Sequence, residues 1–241
     1  MKSNPWFLVW QDEFDGSEID RTKWHLDVGY TGASNEESQI YTDRPENVRL
    51  ENGCLIIEAR KEAHQGFEYT SARVHTENLH AWEFGRMEAR IRIPSGQGLW
   101  PAFWMLGVDR ITKGWPECGE IDIMENIGKQ PQTVRGTIHG PGYFRDDSIG
   151  KDFHKPGEEF ANDFHRYAVE WEPNQIRWFV DQSLYNTLTP NDVPGKWVFD
   201  HPFYILLNVA VGGVWPGYPD ETTTFPQFMH VDYVRVYARK S

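Results

Sequence analysis

Gly119-Glu120-Ile121-Asp122-Ile123-Met124-Glu125-Asn126 places three carboxylates within six residues, spaced by apolar side chains. This is strand alternation, with Glu120 and Asp122 on one face and Ile121 and Ile123 on the other. Strict alternation would turn Glu125 inward beside the isoleucines, where an unpaired carboxylate is expensive. A β-bulge at Ile123-Met124 removes the conflict. It adds one residue on the core side and returns Glu125 to the acidic face.

Three acids on one strand face admit three readings. The commonest is a solvated outer sheet surface, but Trp100, Trp104 and Trp115 lie just upstream, and solvated acidic faces are seldom set among indoles. The second is a divalent cation site, since clustered oxygens suit Ca²⁺ or Mg²⁺. The third is a pair of catalytic carboxylates with a tuning acid between them, as glycoside hydrolysis requires. The residues alone leave the second and third open.

The flanking segments read as further strands. Leu99 to Leu106 puts Trp100 and Trp104 on one face and Phe103 and Met105 on the other. Phe84 to Ile93 alternates with Met87, Ala89, Ile91 and Ile93 inward and Arg86, Glu88, Arg90 and Arg92 outward. Asn47 to Leu50 and Cys54 to Arg60 form a hairpin around Glu51-Asn52-Gly53. Phe164 to Trp171 and Gln175 to Val180 form another around Glu172-Pro173-Asn174. Trp6 to Trp10, Tyr69 to Thr76, Thr133 to His139, Phe203 to Val211 and His230 to Ala238 complete the strands. Ser17 to Trp24 suits a short helical turn, and 29–47 and 140–157 read as loops. Many short strands with turn chemistry between them predict an all-β sandwich or barrel. No Pro/Gly/Ser-rich linker divides the 241 residues, so residues 1–241 are expected to form a single domain.

Charge narrows the partners. With 24 basic and 36 acidic residues the net charge is −12, which argues against nucleic acid and anionic membranes as partners and mildly against sulfated or uronic glycans. The 11 Trp, 10 Tyr and 14 Phe exceed what a core ordinarily takes, because each buried indole N–H needs a partner. An aromatic-lined cleft for sugar rings would use them. Cys54 and Cys118 make no disulfide framework and are expected as two buried thiols, although one bridge is compatible with the count. No apolar run approaches a membrane span, and Met1 to Pro5 contains no secretory h-region.

Trp115-Pro-Glu-Cys-Gly-Glu-Ile-Asp-Ile-Met-Glu125 resembles the signature of glycoside hydrolase family 16, in its bacterial laminarinase (endo-β-1,3-glucanase) branch, which carries the extra residue of Glu-x-Asp-x-x-Glu. The resemblance continues through Leu8–Phe14, Tyr69–Arg73, Gly85–Arg90, Gly98–Trp104, Thr137–His139, Leu207–Gly213 and Val231–Tyr237. It implies a β-jelly roll of two curved antiparallel sheets with a substrate groove on the concave face. It further implies Glu120 as nucleophile, Glu125 as acid/base and Asp122 between them. Trp100, Trp104, Trp115 and Trp215 would line the groove, with Arg73, His139 and Asn35 (in Asn35-x-Glu-x-Gln-x-Tyr41) contacting substrate or the acids. Asn208 and Tyr204 are weaker candidates. His139 has an alternative role as ion partner of the acids.

The resemblance also implies a structural Ca²⁺ held by Glu13, the Gly53 carbonyl and Asp232, with no cofactor for catalysis. The expected enzyme is a secreted monomer acting on β-glucan, with residues 1–5 a replaced or flexible N-terminus. The rival readings are a same-fold enzyme on lichenan, agarose or carrageenan, and a non-catalytic glycan-binding module, which has no need of all three acids.

Overall fold

Inward-facing Val, Ile, Leu and aromatic side chains, alternating with polar ones, build two stacked sheets in the computed structural model, which describes residues 5–240. The seven-stranded sheet runs Ile149–His154, Thr133–His139, Glu120–Glu125, Leu99–Gly107, Phe203–Val211, Arg73–His75 and His25–Leu26. The ten-stranded sheet runs from Ser183–Leu188 through Gln175–Val180, His165–Glu172, Gly85–Arg92, Gln227–Arg239, Cys54–His64 and Phe67–Ser71 to Gln39–Tyr41. Trp6–Asp12 joins it on Gln227–Arg239, and Val48–Glu51 on Cys54–His64. Among the described residues every strand pairing is antiparallel except Gln39–Tyr41 with Phe67–Ser71. This is the jelly-roll sandwich expected from the sequence, with one parallel contact at the end of the larger sheet.

The inner faces close on a single large apolar cluster. Met87, Ala89, Ile91, Ile93, Phe103, Met105, Ile121 and Ile123 all lie in it, as alternation predicts. Burying such side chains contributes about 25 cal/mol per Å² of apolar surface. The outer face of the seven-stranded sheet is therefore free to carry polar chemistry.

Several boundaries differ from the sequence reading. Tyr69 to Thr76 is two strands in two different sheets, parted at Ala72, because the chain crosses the sandwich there. Both segments read as loops contain a short strand, Gln39–Tyr41 and Ile149–His154, and Ser183–Leu188 went unseen among polar residues. Ser17 to Trp24 supplies a turn closed by Trp24 N–H donating to the Asp20 carbonyl at 3.0 Å, without a helix. Among the described residues one α-helix, Arg110–Lys113, is present, and no helix is long and apolar enough to cross a membrane. The expectation for residues 1–5 lies outside the described residues except at Pro5, which is exposed.

Candidate active site

The acidic strand pairs with Leu99–Gly107 on one side and Thr133–His139 on the other. Asp122 faces Trp104, whereas Met124 faces Phe103, so the acidic strand spends two residues where its neighbour spends one. On the other side Asp122 faces Thr137 and Glu125 faces Arg135. This is the predicted bulge. Ile121, Ile123 and Met124 are all buried in the core while Glu120, Asp122 and Glu125 share the outer face.

Two neighbours accommodate the distortion. Trp178, from the other sheet, donates its Nε1–H to the Asp122 carbonyl at 2.8 Å. Gly136 stands between Thr137 and Arg135, across from the bulge, where a Cβ would lie 2.3 Å from Trp178 Cδ1. Only glycine leaves room for that indole.

Each glutamate receives an indole N–H. Trp115 Nε1 donates to Glu120 Oε2 at 2.8 Å, and Trp100 Nε1 to Glu125 Oε1 at 3.1 Å. His139 Nε2 stands 3.1 Å from Asp122 Oδ2 and 3.8 Å from Glu120 Oε1. The Arg145 backbone N–H donates to His139 Nδ1 at 3.1 Å. In the neutral ring, Nε2 therefore carries the proton, directed between the two acids rather than squarely at either. Consistent with that, the buried Asp122 Oδ2 has no well-aligned hydrogen bond.

Burial pushes all three carboxyls up to about 8, and the charge of Asp122 adds to the rise at Glu120 and Glu125. His139 and the indole donors oppose it at both glutamates. Three such neighbours titrate as one coupled set, so at neutral pH the cluster holds protons. Glu120, Asp122 and His139 also offer ligand atoms within 4.8 Å of one another, a spacing open to a metal. A metal on Nε2 would force the ring proton onto Nδ1, against the Arg145 N–H. The donor set fits a proton better than a cation.

Of the other predicted residues, Trp104 faces Asp122 across the ladder and Trp215 packs on Trp100, whereas Arg73, Asn35 and Tyr204 are held by other partners. Trp104 Nε1 donates to Asn208 Oδ1 at 2.8 Å, which gives Asn208 a definite role in holding an indole. Trp215, 37% exposed, packs edge-on against Trp100 with ring centroids 5.2 Å apart. Arg73 is ion-paired to Asp27 and lies over the Tyr41 ring, 5.3 Å from its centroid. Although burial works the other way, His75 and Arg73 pull the Asp27 carboxyl down to about 2. Asn35 donates to Glu37 Oε1 at 2.9 Å, and Gln39 to Glu37 Oε2 at 2.6 Å, so Asn35 belongs to a small polar network. Tyr204 is buried beside His75.

The glycosyl hydrolases family 16 model matches residues 35–235. The chain belongs to glycosyl hydrolases family 16. A β-glucanase of Rhodothermus marinus is 48% identical to this hydrolase over 98% of the chain and 86% of its own length. Glucan endo-1,3-β-glucosidase A1 of Niallia circulans is 38% identical over 95% of the chain, which spans only 37% of that longer protein. The laminarinase catalytic domain of Thermotoga maritima superposes with a TM-score of 0.94 at 47% identity, covering 99% of this chain and all of that one (100%).

Sequence reasoning missed three neighbours of the hydrolase's acidic cluster. Phe144 packs edge-on against Trp115 at 5.5 Å, the Arg145 guanidinium lies 5.8 Å from the same ring, and Arg135 favours the charged forms of Asp122 and Glu125. The first two sit in a segment whose Gly, Pro and Asp content reads only as loop. Arg135 faces Glu125 across the ladder, which the bulge register predicts once Thr133–His139 is placed beside it.

Of the residues expected to hold calcium, Asp232 is in the strand Gln227–Arg239, Glu13 directly follows Trp6–Asp12, and Gly53 is in the turn before Cys54–His64. Arg235 donates to both oxygens of Glu13, at 2.8 and 2.7 Å, and Arg90 donates to Asp232 Oδ2 at 2.9 Å. Both acids are therefore already neutralised by arginine. Gly53 occupies the hairpin turn at φ +72°, a backbone that favours glycine. Cys54 and Cys118 are free buried thiols.

Proposed function

We propose that this hydrolase cleaves internal β-1,3-glucosidic bonds of neutral glucans with retention of the β configuration, using Glu120 as nucleophile and Glu125 as acid/base. The observation that carries the reading is the bulge register. Glu120 pairs with Leu106 and Glu125 with Ala102 on the same neighbouring strand, four positions apart. At ~3.3 Å per residue their Cα atoms stand roughly 13 Å apart, and two side chains leaning together can bring the carboxyls to the ~5–5.5 Å of retaining enzymes.

The two glutamates differ in a way that supports the division of labour. Glu120 has the shorter indole bond and His139 nearby, and its side chain is 17% exposed. Glu125 is buried and has the longer bond. The shorter indole bond favours the anion at Glu120, while burial raises both carboxyls alike, to about 8. In the first step Glu120 attacks the anomeric carbon while Glu125 protonates the departing glycosidic oxygen. In the second, Glu125 takes a proton from water, which attacks the anomeric carbon from the face the leaving group vacated and displaces Glu120. Asp122 keeps negative field on both and helps hold the proton that Glu125 must deliver.

The substrate follows from the aromatic surroundings, the acidic net charge and the names carried by the relatives. A polysaccharide does not cross a membrane, so the proposed enzyme works outside the cell, as a monomer. Early digestion of laminarin tests the reading. Chromatography is expected to show a ladder of oligosaccharides before glucose, and NMR the β anomer before mutarotation. Glucose as sole early product would remove the endo assignment, and an initial α signal would remove the double displacement.

The calcium proposal keeps Glu13, the Gly53 carbonyl and Asp232 as donors, with Arg90 and Arg235 weighing against it. The ion would supply stability alone, by joining the terminal strands. At about 100 times its dissociation constant it would stabilise by ~2.7 kcal/mol. Melting should then occur at lower temperature in EDTA than in excess Ca²⁺, and superimposable curves would discard the site.

A further inference from the structure

The turn that follows the strand Thr133–His139 touches both groups that hold Glu120. Its base is closed by paired backbone bonds between Gly140 and Tyr143, at 2.8 and 3.0 Å. Tyr143 is buried, and its hydroxyl donates to the Lys196 carbonyl at 2.8 Å, so the turn is anchored. Beyond that anchor Arg145 adopts φ +54°, an unfavourable backbone for a side chain of this size. That conformation accompanies the 3.1 Å bond from its N–H to His139 Nδ1. Phe144 is 38% exposed, with its ring set against Trp115 rather than in the core. Trp115 is thereby held between Phe144, the Arg145 guanidinium and the His139 ring, the last 5.9 Å away.

We infer that Phe144 and Arg145 are positioning residues for catalysis: the Arg145 N–H fixes the His139 proton on Nε2, and the two side chains aim the Trp115 N–H at Glu120. The inference rests on the reading of Glu120 as nucleophile. It places the strain of a left-handed arginine beside the reacting groups, where backbone strain serves pre-organisation.

Three variants test it, each with kcat and KM on laminarin and a long-range ¹H–¹⁵N NMR spectrum of the histidines. Arg145→Pro removes the donor and cannot adopt the positive φ. It should lower kcat about 10–100-fold, the penalty of a misplaced group, with KM changed far less. Its His139 should show both tautomers. Arg145→Gly retains the N–H and suits the backbone but lacks the guanidinium, so it should keep the Nε2–H tautomer and lose part of kcat, less than Arg145→Pro loses. Phe144→Ala, which leaves the backbone alone, should lower kcat with His139 unaltered and make the Trp115 indole proton exchange faster. It also stands in should the proline variant not fold. A folded Arg145→Pro enzyme with wild-type kcat and a single Nε2–H tautomer would overturn the inference, as would wild-type kcat and indole exchange in Phe144→Ala. Activity surviving in Glu120→Ser would instead remove the underlying reading, whatever the turn variants do.

Discussion

Glu125→Gln is expected to lower kcat on laminarin by about 10²–10⁴-fold, the usual contribution of a positioned general acid. Glu120→Ser should lose at least as much, because it removes the covalent route itself and a serine is too short to reach the anomeric carbon. The two can be told apart. An aryl β-glucoside with a good leaving group needs no proton in the first step, so kcat/KM of Glu125→Gln, which reports that step, should fall far less on it than on laminarin. Glu120→Ser should be impaired on both. Far-UV circular dichroism should be unchanged in either, since neither side chain packs in the apolar core. Wild-type rates in a folded variant would end the assignment. Equal losses of kcat/KM in Glu125→Gln on both substrates would separate Glu125 from leaving-group protonation.

The parts of this site that a sequence reveals are those fixed by local periodicity. The bulge was legible because Ile121, Ile123 and Met124 must go inward while Glu125 cannot follow them without a large desolvation penalty. The strands Thr133–His139 and Phe203–Val211 have the bounds read from the sequence, the first from Val134 and Ile138 alternating with polar residues, the second from a nearly continuous apolar run. What stayed hidden depends on contacts between distant residues. The crossing at Ala72 leaves no exposed break, since every residue of Tyr69 to Thr76 but the half-buried Arg73 is buried in one sheet or the other. The Arg145 N–H on His139 is a backbone group, which a side-chain pattern does not encode. The arginines on Glu13 and Asp232 arrive from other strands, so the two acids read as free oxygens until the register of Gln227–Arg239 is known.

Asp122→Asn is expected to stabilise the protein, and to do so in a pH-dependent way. The Asp122 carboxyl is raised from its ordinary 3.8 to about 8 by burial, and the two glutamates from 4.5 to about 8. Between pH ~4 and ~8 the folded cluster therefore binds more protons than the unfolded chain, so unfolding free energy falls as pH rises through this window. The favourable contribution is complete below the unfolded values and is lost as pH climbs through the folded ones. Removing one acid deletes its own share of that loss, and the charge of Asp122 no longer opposes ionisation of Glu120 and Glu125. Each pK unit corresponds to ~1.4 kcal/mol. Discounting for the coupling among the three acids, a gain of about 2–4 kcal/mol near pH 9 is the scale to look for. For a domain of this size that corresponds to a rise in Tm on the order of 4–16 °C, shrinking toward zero near pH 4. The net charge of −12 destabilises the parent at high pH as well, but it acts on both proteins and largely cancels in the difference. Calorimetric melts of parent and variant at matched pH from 4 to 9 measure it. A gain independent of pH, or a loss near pH 9, would mean that the buried acids are not the strained element of this sheet. The predicted gain would instead mark them as groups whose burial serves catalysis at the expense of stability.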